Sequence, residues 1–153
     1  MKKTGQRKGF ALLALMVFGA AAMIILAAGM ERYLSVSARI REASVRLQAS
    51  NLAAEGIEMF RGWASTQTNK DRQDGWRTAI APLSGKYAVS YGGGYSLSAA
   101  DSEKIPFTEP AAVEFTRTLE VRDGKLPGEK DVSCAVSWGG RITVQYQVTI
   151  TDA

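Results

Sequence analysis

The sequence contains no histidine. The commonest general base and the commonest metal ligand are therefore both missing, which weighs against acid–base and metal-dependent catalysis together. Cysteine occurs once, at Cys134, so no internal disulfide exists. In the alternating stretch VSCAVSW, Val132, Cys134, Val136 and Trp138 share one face of a predicted strand. Cys134 therefore reads as a small buried hydrophobe rather than a redox or metal-binding thiol. Proline is scarce, with none between residues 10 and 81, so nothing interrupts a helix over that stretch. No acidic residue precedes Glu31, and no charge of either sign occurs from Phe10 to Met30.

The net charge of +4 is concentrated at one end. Lys2, Lys3, Arg7 and Lys8 account for all of the excess, and the chain that follows is neutral overall. A basic balance that resides in a few terminal residues does not describe a nucleic-acid surface, and direct contact with nucleic acid is not expected. At 153 residues the chain has room for one modest domain and an anchor.

What is present begins with FALLALMVFGAAAMIILAAGM, residues 10–30. About 20 apolar residues suffice to cross a bilayer as a helix. The basic cluster ahead of them belongs on the cytoplasmic side, leaving the remainder of the chain outside. An ordinary secretory signal is cut after its apolar core, at small residues. Here the Gly9–Phe10 junction lies ahead of the core, so cleavage there would keep the apolar helix.

Beyond Met30, apolar residues recur at Tyr33, Val36, Ile40, Ala43 and Leu47, and again at Ala53, Ile57, Phe60 and Ala64. Ala49 and Leu52 carry the stripe across the middle. Steps of three and four are helical periodicity. One continuous helix is predicted from Phe10 to about Ala64, on the order of 80 Å long. Its first half, 10–30, is expected in lipid or among other helices, and its second, 31–64, against a globular head, 65–153. Ala20–Ala22 and Ala27–Gly29 lie seven residues apart on one face and permit close helix approach.

GWRTAIAPLSG (75–85) is expected to hold a helical turn or two before Pro82. KYAVSY, GGG and YSLS read as a hairpin, with Tyr87, Val89 and Tyr91 on one face. ADSEKIPFTEPA reads as a loop because of its two prolines. Val113, Phe115, Leu119 and Val121 alternate up to the turn signal Asp123-Gly124. The clearest hairpin joins DVSCAVSW to RITVQYQVTITDA through Gly139-Gly140, with Ile142, Val144, Tyr146, Val148 and Ile150 facing inward. The expected fold class is α+β, a long N-terminal helix laid on an antiparallel sheet of four or five strands.

The short basic leader ending in Gly9, Phe10 after it, and an apolar helix running into an amphipathic one resemble a type IV prepilin. LAAEGIEMFRGW (52–63) resembles the LAxEGIExxR stretch of many minor-pilin-like proteins, and VSWGGRITVQYQVTITD is similar to the closing hairpin of the same group. The family comprises major pilins, minor pilins and the pseudopilins of type II secretion. The resemblance implies that prepilin peptidase cuts between Gly9 and Phe10 and methylates the new amine of Phe10. It implies a pilin-like fold; no metal-ligand cluster is found in the sequence, and no cofactor is expected. It also implies residence as a single-pass inner-membrane protein with the head outside the cytoplasm, then transfer into a cell-surface or periplasmic filament. The expected partners are the peptidase, other pilins or pseudopilins through the N-terminal helix, and the inner-membrane assembly platform. The chain departs from the family at its fifth mature position, where most pilins carry Glu and this one has Ala14. That carboxylate is thought to pair with the N-terminal amine of a neighbouring subunit, and an unpaired charge in hydrocarbon is costly. A subunit without it can still offer its own amine to a neighbour, which suits a tip position and not a repeatedly stacked one.

Other candidate chemistry gives way to simpler readings. Gly92–Gly94 fits no phosphate-loop pattern and reads as a turn. Asp123, Glu129 and Asp131 flank a turn and could gather around calcium, although their spacing matches no known loop and solvated carboxylates are the ordinary reading. Arg39, Arg41 and Arg46 accompany Glu42 on the amphipathic helix and read as a solvated face, with lipid headgroups or a filament contact as the alternative. Glu55 and Glu58 have no catalytic partner, and Trp63, Trp76 and Trp138 read as core or core-edge residues. No nucleophile–base set is present, so the chain is not expected to be an enzyme. The rival to a pilin-like protein is an uncleaved, signal-anchored extracytoplasmic binding module. A third reading, membership of a DNA-uptake pseudopilus, would not require direct DNA contact by this neutral chain.

Overall fold

In the computed structural model, residues 4–68, 72–107 and 113–151 are described, and the side chains of residues 4–9, 72, 73, 107 and 141–143 are left aside. A helix, α1, runs from Thr4 to Thr68. It extends past the predicted helix at both ends. The chain divides into two compact units, residues 1–42 and 43–153, each considered by itself.

In the second unit, α1 is followed by a short α2 (Arg72–Gly75) and a π-helical turn, Trp76–Ile80. Six strands follow: β1 (Gly85–Tyr91), β2 (Tyr95–Ala99), β3 (Glu103–Phe107), β4 (Val113–Asp123), β5 (Glu129–Trp138) and β6 (Arg141–Thr151). They form one antiparallel sheet in the order β2-β1-β4-β5-β6, with β3 also paired to β4. The long β4 receives β1 along Leu119–Val121 and β3 along Val113–Arg117. The fold class is α+β as expected, with one strand more than the sequence reading counted. The extra strand is β3, which was read as a loop because of Pro106. Proline cannot donate to a ladder and is tolerated on short outer strands, and that is where β3 lies.

The turns follow from their glycines. Gly139 and Gly140 both have positive φ, 57° and 77°, as a two-residue type I′ hairpin requires. The β4–β5 connection is longer than the Asp123-Gly124 signal indicated. It spans 124–128, closes with Gly124 N–H donating to the Glu129 carbonyl at 3.0 Å, and places its positive φ at Gly128.

Alternation on β4 and β5 puts Phe115, Leu119 and Val121, and Val132, Cys134 and Val136, on one buried face. Val45, Ala49, Leu52, Ala53, Ile57 and Phe60 of α1 cover it. This corrects the predicted stripe. Ala53, Ile57 and Phe60 are buried, but Leu47 is 63% exposed while Val45, two residues earlier, is buried. The apolar set that includes Leu47 therefore lies on a different side of the helix from the row that meets the sheet. Trp76 and Ile80 are buried, and Trp63 and Trp138 are half-buried, each ring beside a phenylalanine: Trp63 beside Phe60 and Trp138 beside Phe115.

Two charged residues sit among these apolar ones. Arg117, which breaks the alternating apolar row of β4, is 7% exposed; its Nη2 and Nε donate to Glu103 Oε2 at 2.6 and 3.0 Å. Lys130, 5% exposed, donates to Asp123 Oδ1 at 2.6 Å and to the Leu83 carbonyl at 2.8 Å, tying β5 to the segment that precedes β1. Pairing and hydrogen bonding offset the desolvation of both cations.

Gly56 is buried where α1 crosses Cys134, and a Cβ built there would stand 2.6 Å from Cys134 Sγ and 3.2 Å from Arg117 Cδ. Gly56→Ala gains helix propensity, about 1 kcal/mol, but overpacking costs about 1–3 kcal/mol. The expected net is a loss of roughly 1 kcal/mol in denaturant unfolding, against a gain of similar size if the site were open. Glu103→Gln leaves the Arg117 charge buried without its counter-charge; because the Glu103 side chain is 33% exposed, the expected loss is about 2 kcal/mol, below that of a fully buried pair. Arg117→Met, which removes the buried charge, should cost less than Glu103→Gln in the same measurement.

Candidate functional site

The first unit is all helix among its described residues. From Phe10 to Met30 no charged side chain interrupts the segment, and its large apolar residues are exposed within the chain, Phe10 at 77% and Ile25 at 72%. Among the described residues this is one helix long and apolar enough to cross a membrane. A Cβ at Gly19 or Gly29 would meet nothing within 4 Å. Among the described residues, Gly19 and Gly29 therefore have open space beside them. Ala14, at the position singled out in the sequence, is partly shielded by its neighbours on the helix. Gly9 and Phe10 both lie within α1, so the backbone at that junction is helical. Tyr33, Val36 and Ile40 continue the apolar exposure beyond Glu31, each more than half exposed. Arg39 and Arg41 are exposed on the same helix.

The remaining candidates are dispersed over the second unit. Asp123 pairs with Lys130, Glu129 Oε2 accepts from the Leu126 N–H at 3.1 Å, and Asp131 Oδ1 accepts from Thr149 Oγ1 at 2.6 Å. Each carboxylate is engaged in a different direction, and among the described residues no group of three His, Cys, Asp or Glu side chains is placed to hold a metal ion. Gly92–Gly94 forms the β1–β2 turn, with Gly93 at φ 86° and Tyr91 packed on Tyr95 at 5.0 Å between ring centroids. Glu55 and Glu58 are exposed, and Glu58 pairs with Arg61. The structure brings none of these groups together with another.

Cys134 is fully buried, and that burial pushes its thiol up to about 11; the Arg117 charge lowers it and the Glu103 charge raises it. Desolvation of the thiolate is the largest cause, so the sulfur is inert at neutral pH. What sequence reasoning missed is the Arg117–Glu103 pair beside this thiol; the one available signal was a basic residue standing in the inward row of a strand.

No family model, curated protein or solved structure matches the chain.

The raised thiol sets the sign of a pH effect. The folded state holds its proton to about pH 11, whereas the unfolded thiol releases it near its ordinary value of 9.0. The contribution is therefore complete below the unfolded value and is lost as pH rises through the folded one. Wild type should lose about 2 kcal/mol more than Cys134→Ala between pH 8 and 11; parallel pH profiles would show an accessible sulfur. Alkylation by iodoacetamide at neutral pH should require unfolding.

Proposed function

We propose that this chain is a non-catalytic, pilin-like structural subunit, a minor pilin or pseudopilin. It is processed between Gly9 and Phe10, methylated at Phe10, and moved from the inner membrane into a type IV pilus or a secretion-type filament. The observation that carries the reading is an uncovered, charge-free helical segment, Phe10–Met30, in the same helix whose later residues pack on an antiparallel sheet. Such a segment is stable in lipid. It is equally stable among other helices of its kind, so assembly exchanges one set of apolar contacts for another at small net cost. The glycines at 19 and 29, which accommodate nothing within the chain, suit close approach by neighbouring helices. Tyr33, Val36, Ile40 and Leu47 offer further apolar surface above the bilayer.

Ala14 defines the position within such a filament. Without a carboxylate before Glu31 the subunit cannot receive a neighbour's N-terminal amine, but it can donate its own. That arrangement suits the tip or an initiating complex, with the peptidase, partner pilins and assembly platform as its proposed contacts.

The second reading, an uncleaved anchor carrying a binding head, draws on the helical backbone at Gly9–Phe10. Proteolysis requires an extended substrate, so Thr4–Gly9 would have to unwind first. Gly5 and Gly9 lower that cost, at about 1 kcal/mol each relative to alanine.

Mass spectrometry of the protein from native membranes separates the two. Processing predicts a chain beginning at Phe10, one methyl group heavier than the unmodified form, and Gly9→Leu should accumulate as the uncut precursor. A wild-type chain that retains Met1 or Lys2 rejects the pilin-like reading in favour of the anchor.

A further inference from the structure

The sheet ends on one side at β6, which pairs with β5 and with no other described strand. In an antiparallel ladder every second residue of an edge strand directs its N–H and C=O away from its neighbour, ready to pair with another chain. Proteins ordinarily blunt such edges with short strands, proline, charge or bulges. The opposite edge, β2, is five residues long, and β3 carries Pro106 beside Glu103 and Lys104. β6 has eleven residues, and from Ile142 to Thr151 it holds no charge and no proline. Its one irregularity is at Thr143, which is skipped between the pairs Val136–Val144 and Ser137–Ile142; beyond it the ladder runs without a break.

The sequence of this edge, ITVQYQVTI from 142 to 150, reads identically in both directions about Tyr146. In a two-fold antiparallel pairing centred there, each position would face its own residue type: Val144 against Val148, Gln145 against Gln147, Tyr146 against itself. β-branched and aromatic pairs, and amide pairs, are favourable across strands, and no like charges are opposed. Gln145 and Gln147 are exposed, and Tyr146 is 43% exposed with its hydroxyl 2.8 Å from Ser50 Oγ. Val144, Val148 and Ile150 are only partly covered, so an added strand would bury them further.

We propose that the β6 edge is a self-recognition site, at which a second copy of this chain pairs β6 with β6 about a two-fold axis midway between the two Tyr146 residues and extends the sheet across both heads. The axis is normal to the sheet, so it reverses Ala43–Thr68 as well as the strand. The two Ala43–Thr68 segments therefore run in opposite directions in the paired heads. The site rests on β6 alone and does not depend on the filament reading.

Sedimentation equilibrium of the full chain in density-matched detergent, over a wide range of concentration, tests this. The wild type should show a monomer–dimer equilibrium. Gln145→Lys with Gln147→Lys places lysines opposite one another and should weaken it by roughly tenfold or more. The matching pair of glutamate substitutions should weaken self-association equally, and mixing the lysine and glutamate proteins should restore a dimer. Far-ultraviolet circular dichroism, and unfolding midpoints compared at a concentration where the wild type is monomeric, show that both variants fold. A wild type that stays monomeric overturns the proposal and leaves the edge to a strand of another polypeptide. A dimer that the lysine variant retains overturns it too, assigning association to another surface such as Phe10–Met30. So does failure of the folded, charge-complementary variants to pair.

Discussion

Everything in the head depends on how closely one helix can approach one strand. Ala49, Ala53 and Gly56 present little side chain to the sheet, and Cys134 presents little in return, so α1 rests close above β5. Phe60 and Phe115 are completely buried in the same core, whereas Val144, Val148 and Ile150 of β6 are only partly covered. A larger residue at 56 would have to displace the Cys134 sulfur or the Arg117 stem. Close packing of small residues at the crossing thus sets how near the helix lies to β5, while the strand order leaves β6 at an edge.

The two buried cations complete that arrangement. Arg117 reaches Glu103 on β3, and Lys130 reaches Asp123 and the Leu83 carbonyl. Both ion pairs join register partners of adjacent strands, and Lys130 also reaches the segment before β1. Neither pair is strong evidence of stabilisation, because burying charge consumes much of what pairing returns. Their clearer effect is on register, since Arg117 faces Glu103 in the β3–β4 ladder itself.

Much of the fold was legible in the sequence. The long proline-free span gave the helix, period-two alternation gave β4 and β5, and the paired glycines gave the turn before β6. What escaped has specific causes. Pro106 disguised β3 as a loop, because a single residue cannot reveal that its missing donor faces away from a partner. The apolar set at Tyr33, Val36, Ile40 and Leu47 was joined to the buried row because both have helical spacing, yet period alone does not fix which side meets the sheet. Arg117 broke the pattern of β4 without indicating that Glu103 would come to it. The candidate positions Gly9, Phe10 and Ala14 rest on spacing relative to the apolar run and not on any constellation of side chains.

The order of elements along the chain also has a cost during synthesis. The row from Val45 to Phe60 is completed early, yet the residues that cover it, Phe115 to Val136, come much later. At about 5–20 residues per second, the roughly eighty intervening residues take on the order of 4–16 seconds to appear. Throughout that interval the apolar helical face exists without the sheet that covers it. Until β4 and β5 arrive, that face needs cover from some other apolar surface.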